Sequence, residues 1–150
     1  MMIKRHLDPA LYEQVAQRLS EVGQRLTRNR VALLVVLADA GRPLTIPDIG
    51  LADPALAVSS TYRNLTALEE AGIVDRVVTT GEFVHYELAE DLTDHHHHLV
   101  CSSCGSVDDV EVPSKLEQCV NEVARDVARR TGFRTERHLL DLIGLCERCA

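Results

Sequence analysis

The sequence predicts an α+β chain of two units, a winged helix-turn-helix over residues 1–90 and a small α/β domain over residues 95–150, joined by a hinge at 91–94. Three observations predict it. Apolar residues recur at helical spacing through the first 70 residues, with cap and stop residues between the runs. Two β-prone runs follow, flanking a Thr-Thr-Gly turn. Beyond residue 94, His95, His96, His97 and His98 lead into Cys101-x-x-Cys104, and a second such pair, Cys146 and Cys149, stands at residues 146–149.

Asp8 before Pro9 starts the first helix, a capping carboxylate followed by a ring pre-set for the first turn. Leu11, Val15, Leu19, Val22 and Leu26 then follow at helical spacing. Thr27 caps a second helix, apolar nearly all round from Val31 to Leu37 and ended by Gly41, so it is central to the first core. A short irregular helix is centred on 46–51. Ser59 or Ser60 caps the next, with Tyr62, Leu65 and Leu68 on one face and Gly72 at its end. Helix, turn and helix is the arrangement that sets the start of its second helix into a DNA major groove. Ser59, Ser60, Thr61, Tyr62, Arg63 and Asn64 are the candidate contacts, supported by Arg28 and Arg30. Residues 73–78 and 83–88, joined by Thr79, Thr80 and Gly81, form the wing.

In the second unit, residues 95–101 and 107–112 read as strands around the first Cys-x-x-Cys turn. Pro113 and Ser114 start a helix carrying Leu116, Cys119, Val120, Val123 and Val127, with Cys119 expected as a buried thiol. Gly132 stops it, and a last strand over 133–145 delivers Cys146 and Cys149. So small a unit leaves a sheet face and edge over, which a homodimer would bury. Dimerisation would also supply the second reading helix that a palindromic site requires.

The 150 residues are 45% hydrophobic and carry a net charge of -7. The acidity lies in residues 82–150, with seven Lys/Arg against fourteen Asp/Glu, whereas residues 1–81 balance nine against nine. A neutral first unit with Arg25, Arg28 and Arg30 clustered at one helix boundary suffices for phosphate contacts. No secretory signal is read before the first helix and no apolar run approaches the roughly 20 residues that span a membrane. A cytoplasmic, reducing location is expected, where paired cysteines bind metal rather than form disulfides.

Imidazole and thiolate are ligands for zinc and its neighbours, and each Cys-x-x-Cys offers half of a tetrahedral site. Neither pair opens a helix after a strand, as a redox site of thioredoxin type requires. In an extended segment His95 and His97 point one way and His96 and His98 the other, so one strand can serve two metal sites. Catalytic zinc needs an open position and a neighbouring base. With neither His-Glu-x-x-His nor a deaminase signature in the chain, no enzyme activity and no small-molecule substrate are expected.

Ser60-Thr61-Tyr62-Arg63-Asn64-Leu65, its continuation from Leu68 to Val74, the block His95 to Cys101 and the terminal Cys-x-x-Cys together resemble the ferric uptake regulator (Fur) family of metal-responsive repressors. The resemblance covers almost the whole chain. It implies that Cys101, Cys104, Cys146 and Cys149 hold a structural zinc in the dimerisation domain. It implies a regulatory site at the domain junction, formed by His96 and His98 with Glu87 from the wing. It implies a third site of His95, His97, Glu117 on the helix and His138 on the last strand.

The chain departs from the family pattern where many iron- and peroxide-responsive relatives place a histidine, for here Arg42 precedes Pro43. His85, on the strand face of Glu87, and Asp75, matching an aspartate of zinc-responsive relatives, are the candidates to complete the regulatory site. The resemblance implies a dimeric repressor that binds double-stranded operator DNA when a second divalent metal, Zn2+ or Fe2+/Mn2+, fills that site. A peroxide-sensing iron or manganese repressor of the same family is the alternative.

Overall fold

A computed structural model describes residues 6–79 and 81–150. Helix α1 (Pro9–Glu21) is capped by the Asp8 carboxylate, which accepts from the N–H groups of Ala10 and Leu11. It ends earlier than its apolar spacing predicts. Val22 is its C-cap, and the chain turns at Gly23, whose φ of 71° suits glycine. Helix α2 (Arg28–Ala40) is capped by Thr27 and closed by Gly41 in the left-handed region. Its five consecutive residues from Leu33 to Leu37 are all buried, because α1, the two helices that follow and the wing surround it.

Helix α3 (Ile46–Ala52) opens on a capping box in which Thr45 and Asp48 satisfy each other's backbone N–H. Helix α4 (Val58–Glu70) corrects the expectation of a serine cap. It starts at Ala57 with no side-chain cap, and both serines lie within its first turn. Leu65 and Leu68 join Leu19, Leu33, Leu34 and Ile49 in the fully buried centre.

The wing pairs β1 (Val74–Val77) with β2 (His85–Leu88) antiparallel, setting Asp75 opposite Glu87. Leu44 adds a bridge to Tyr86, with backbone hydrogen bonds in both directions at 2.9 and 2.8 Å, and so ties the wing to the start of α3. Of the expected turn, Thr80 lies outside the described residues.

A single 3-10 turn, Glu90–Leu92, leads into the second unit. There β3 (His97–Cys101) lies between β4 (Val107–Val110), antiparallel to it, and β5 (Asp141–Gly144), parallel to it. The last strand is therefore far shorter than the expected 133–145. Only residues 141–144 find partners on β3, and residues 133–140 run to it without strand pairing.

Helix α5 (Ser114–Thr131), closed by Gly132, buries none of its residues. Cys119 is thus exposed rather than the buried thiol its stripe suggests, since among the described residues no element covers that side. The second unit's small core is Val100 and Val107, joined by Val77 from the wing. Among the described residues, no helix is long and apolar enough to cross a membrane.

Candidate metal centres and recognition helix

The parallel pairing of β3 with β5 sets Cys101 opposite Gly144 and so carries Cys146 and Cys149 to the first Cys-x-x-Cys. One sulfur from each of the four cysteines lies within 4.8 Å of all the others. The Sγ atoms of Cys104 and Cys146 are 3.7 Å apart, against about 3.8 Å for the edge of a tetrahedron with ~2.3 Å zinc–sulfur bonds. Backbone N–H groups of Cys104 and Cys146 point at Cys101 Sγ and lower its pKa to about 6. At Cys149 the Ser103 hydroxyl acts to lower the pKa, but the thiols of Cys146 and Cys104 outweigh it and push the value to about 11. Four sulfurs this crowded cannot all ionise by themselves, and a divalent cation relieves the repulsion.

The histidine run divides by strand parity. His96 and His98 turn toward Glu87 and Asp109, whereas His95 and His97 turn toward Glu117 and His138. In the first group, His96 Nε2 and His98 Nε2 each lie 3.1 Å from Glu87 Oε2, and they lie 3.8 and 3.9 Å from Asp109 Oδ1. The opposite ring nitrogens are held elsewhere, His96 Nδ1 by the Asp94 carbonyl at 2.9 Å and His98 Nδ1 by Asp141 Oδ1 at 3.4 Å. Both rings therefore present Nε2 to one point, the arrangement that metal-ligating imidazoles adopt.

Burial raises the pKa of Asp109. Burial also acts to raise that of Glu87, but hydrogen bonds from His98 and His96 outweigh it and the value is lowered. At His98 the hydrogen bond to Glu87 outweighs burial and raises the pKa. Asp109 Oδ1 is buried without a hydrogen-bond partner, an acceptor that a cation would satisfy.

Asp109 was missing from the expected ligands, although a signal existed. A strand antiparallel to the histidines must turn one of its alternating residues to the same face, and the register sets Asp109 opposite His98. The two expected candidates are not brought to the cluster. His85, 4% exposed, faces Asp48 and Arg42, with burial lowering its pKa and its Nδ1 lacking a partner. Asp75 stands opposite Glu87, yet its carboxylate pairs with Arg137 at 3.9 Å. Arg42 lies 3.6 Å from Asp48, within the α3 capping box.

In the remaining group, Glu117 reaches from α5 to three imidazoles. Its carboxylate is 2.6 Å from His97 Nε2, 3.4 Å from His95 Nε2 and 3.2 Å from His138 Nε2. The His97 hydrogen bond is the main cause lowering its pKa. His138 sits in the unpaired segment before β5 rather than on a strand, and its buried Nε2 makes no well-aligned hydrogen bond. The donor sets of all three groups suit a metal ion.

On α4, Ser59, Tyr62 and Arg63 are exposed, and Tyr62 is 56% exposed. Arg28 is exposed as well, and Ser60 is half-buried. Three expected contacts are engaged within the protein. Thr61 is 2% exposed and donates its hydroxyl to the Ala57 carbonyl at 3.1 Å. Arg30 donates to the Asn64 side-chain oxygen at 3.2 Å, to the Arg25 carbonyl at 2.6 Å and to Gln24 at 2.9 Å. Arg30 and Asn64 thus brace α2 against α4.

The sequence model described as Ferric uptake regulator family matches residues 21–143. The chain is 28% identical over 142 residues to the peroxide operon regulator of Bacillus subtilis (strain 168), covering 92% of each protein. It is 29% identical over 143 residues to the ferric uptake regulation protein of the same organism, covering 91% of this chain and 93% of that one. Its fold is similar to that of the Helicobacter pylori ferric uptake regulator, with a TM-score of 0.72 at 24% identity over 98% of this chain and 97% of the other.

Proposed function

The chain belongs to the ferric uptake regulator family of metal-dependent transcriptional repressors, and on that premise we propose that the cluster of Glu87, His96, His98 and Asp109 is its regulatory metal site. One observation carries this reading. Among the four donors only Glu87 comes from the wing, and its carboxylate lies 3.1 Å from both imidazoles of the second unit. An ion bound there would hold the winged unit, residues 1–90, in one orientation across the 91–94 linker, and its binding free energy would select that orientation. The exposed Ser59, Tyr62, Arg63 and Arg28 would then face operator DNA. The start of α4, which no side chain caps, would suit a phosphate.

The four-cysteine site is read as structural zinc, and the exposed faces of α5 and β5 as the contact of a homodimer. Two imidazoles and two carboxylates accept Zn2+, Fe2+ or Mn2+. The chain is about as similar to an iron regulator as to a peroxide regulator, and titration with each metal distinguishes the two.

The test is fluorescence anisotropy with promoter DNA of the protein's own gene, titrating each metal into protein that retains its four-cysteine zinc. One metal should raise DNA affinity about tenfold or more, roughly 1.4 kcal/mol. Glu87→Ala should abolish the metal response without loss of the structural zinc. A wild-type affinity indifferent to every metal would overturn the proposal.

A further inference from the structure

All four donors of the third cluster, His95, His97, Glu117 and His138, belong to the second unit, so an ion there would not bridge the units directly. Its surroundings nevertheless reach the winged unit twice. His95 offers Nε2 to the cluster and is held at Nδ1 by the carboxylate of Glu90, in the 3-10 turn that ends the winged unit. The neighbouring Asp91 is gripped by Arg18 of α1, whose Nη1 also donates to the Gly72 carbonyl at 2.6 Å, just beyond α4. On the other side, Arg137 precedes the donor His138 and pairs with Asp75, which the wing register sets opposite Glu87. A cavity of about 230 Å3 between wing and second unit is bordered by both histidine clusters, Asp75, Glu90 and Arg137.

We propose that Glu90 is a positioning residue for the third cluster, and that Glu90 and the Asp75–Arg137 pair make this cluster a second clamp on the winged unit, so that filling it strengthens metal binding at the regulatory cluster. The physical route is short. An ion that fixes the His95 and His138 rings also fixes the directions of Glu90 and Arg137, and through them the 3-10 turn and β1. Glu87 is then already placed when the regulatory ion arrives. An exposed ion pair such as Asp75–Arg137 contributes little alone, but two contacts flanking one ion act together. By linkage, the regulatory ion must strengthen the third cluster's affinity by the same factor.

The inference rests on the metal reading above, and Co2+ titration followed by visible absorption separates the two. Protein retaining its four-cysteine zinc would be compared with Glu117→Ala and His138→Ala, two independent ways of disabling the third cluster. Regulatory-site affinity for Co2+ should fall about fivefold or more in both variants. In a Glu90→Ala/Arg137→Ala background, which keeps every donor, adding Glu117→Ala should cost nothing further at the regulatory site. Two Co2+ ions binding with independent affinities, or a loss on Glu117→Ala that persists undiminished in that background, would overturn the inference and leave the metal reading standing. No Co2+ binding beyond the cysteine site would overturn both.

Discussion

At the scale of single residues, Asp48 illustrates how one carboxylate serves the frame around the candidate site. It accepts from the backbone N–H and hydroxyl of Thr45 while Arg42 lies 3.6 Å away. Burial acts to raise its pKa, but these partners outweigh it and hold the value below the ordinary 3.8. The sign follows directly. The unfolded chain binds this proton at higher pH than the folded one, so the stabilisation is complete above the unfolded range and fades as pH falls through the lowered folded value. Asp48→Ala should destabilise the protein by about 1 kcal/mol at neutral pH, and the difference from wild type in urea melts should shrink below about pH 4.

The histidine run is sorted at the same scale. Side-chain alternation alone separates His95 and His97 from His96 and His98, and the two groups lie accordingly. Thr61 and Asn64 were not legible in the same way. Their polar groups suit DNA or a neighbouring helix equally, and only the packing of α2 on α4 commits them to internal bonds.

At the scale of elements, α1, α2 and α3 follow from local signals, because Asp8, Thr27, Thr45 and Gly41 each act within one turn of their own helix, whereas α4 starts without a side-chain cap. The second unit does not follow from local signals. Strand β5 is limited to four residues by what β3 can pair, a long-range condition invisible in the β-prone stretch before it. Helix α5 carries an apolar stripe and buries none of it, and Ile143 on β5 is 68% exposed. A stripe of this kind is ordinarily covered. Val123, 62% exposed, tests whether a second copy covers it. Val123→Asp should shift sedimentation from dimer to monomer at micromolar concentration while the wing and zinc content stay intact. A wild-type protein that is monomeric would remove the dimer from the proposal.

At the scale of the whole molecule, the four-cysteine group reinforces the junction of β3 and β5, which otherwise rests on four paired residues and the bonds of Ser102 to the Gly144 carbonyl. Among the described residues the apolar core of the second unit is Val100 and Val107 with Val77, so an ion tying β3 to β5 has much of the unit's stability to supply. Removal of zinc by a strong chelator should unfold residues 95–150 while α1 to α4 keep their helical signal, seen as partial loss of circular dichroism and rapid proteolysis confined to the second unit. Cooperative loss of the entire fold would show instead that the units stand or fall together.

By itself the sequence determined the winged arrangement, the division of the histidines by strand face and two Cys-x-x-Cys half-sites, because each depends on period, cap or spacing over a few residues; the β3–β5 register then joined the half-sites. Glu87 and Glu117 are implied by the family resemblance, but tertiary structure alone decided which further residue meets those histidines. Asp109 arrives through β-strand register, whereas Asp75 and His85 are drawn to Arg137 and to the α3 end of the wing. Register and inter-unit packing are sums of many distant contacts, so the ligand set at a junction between units becomes definite only when both units are folded and docked.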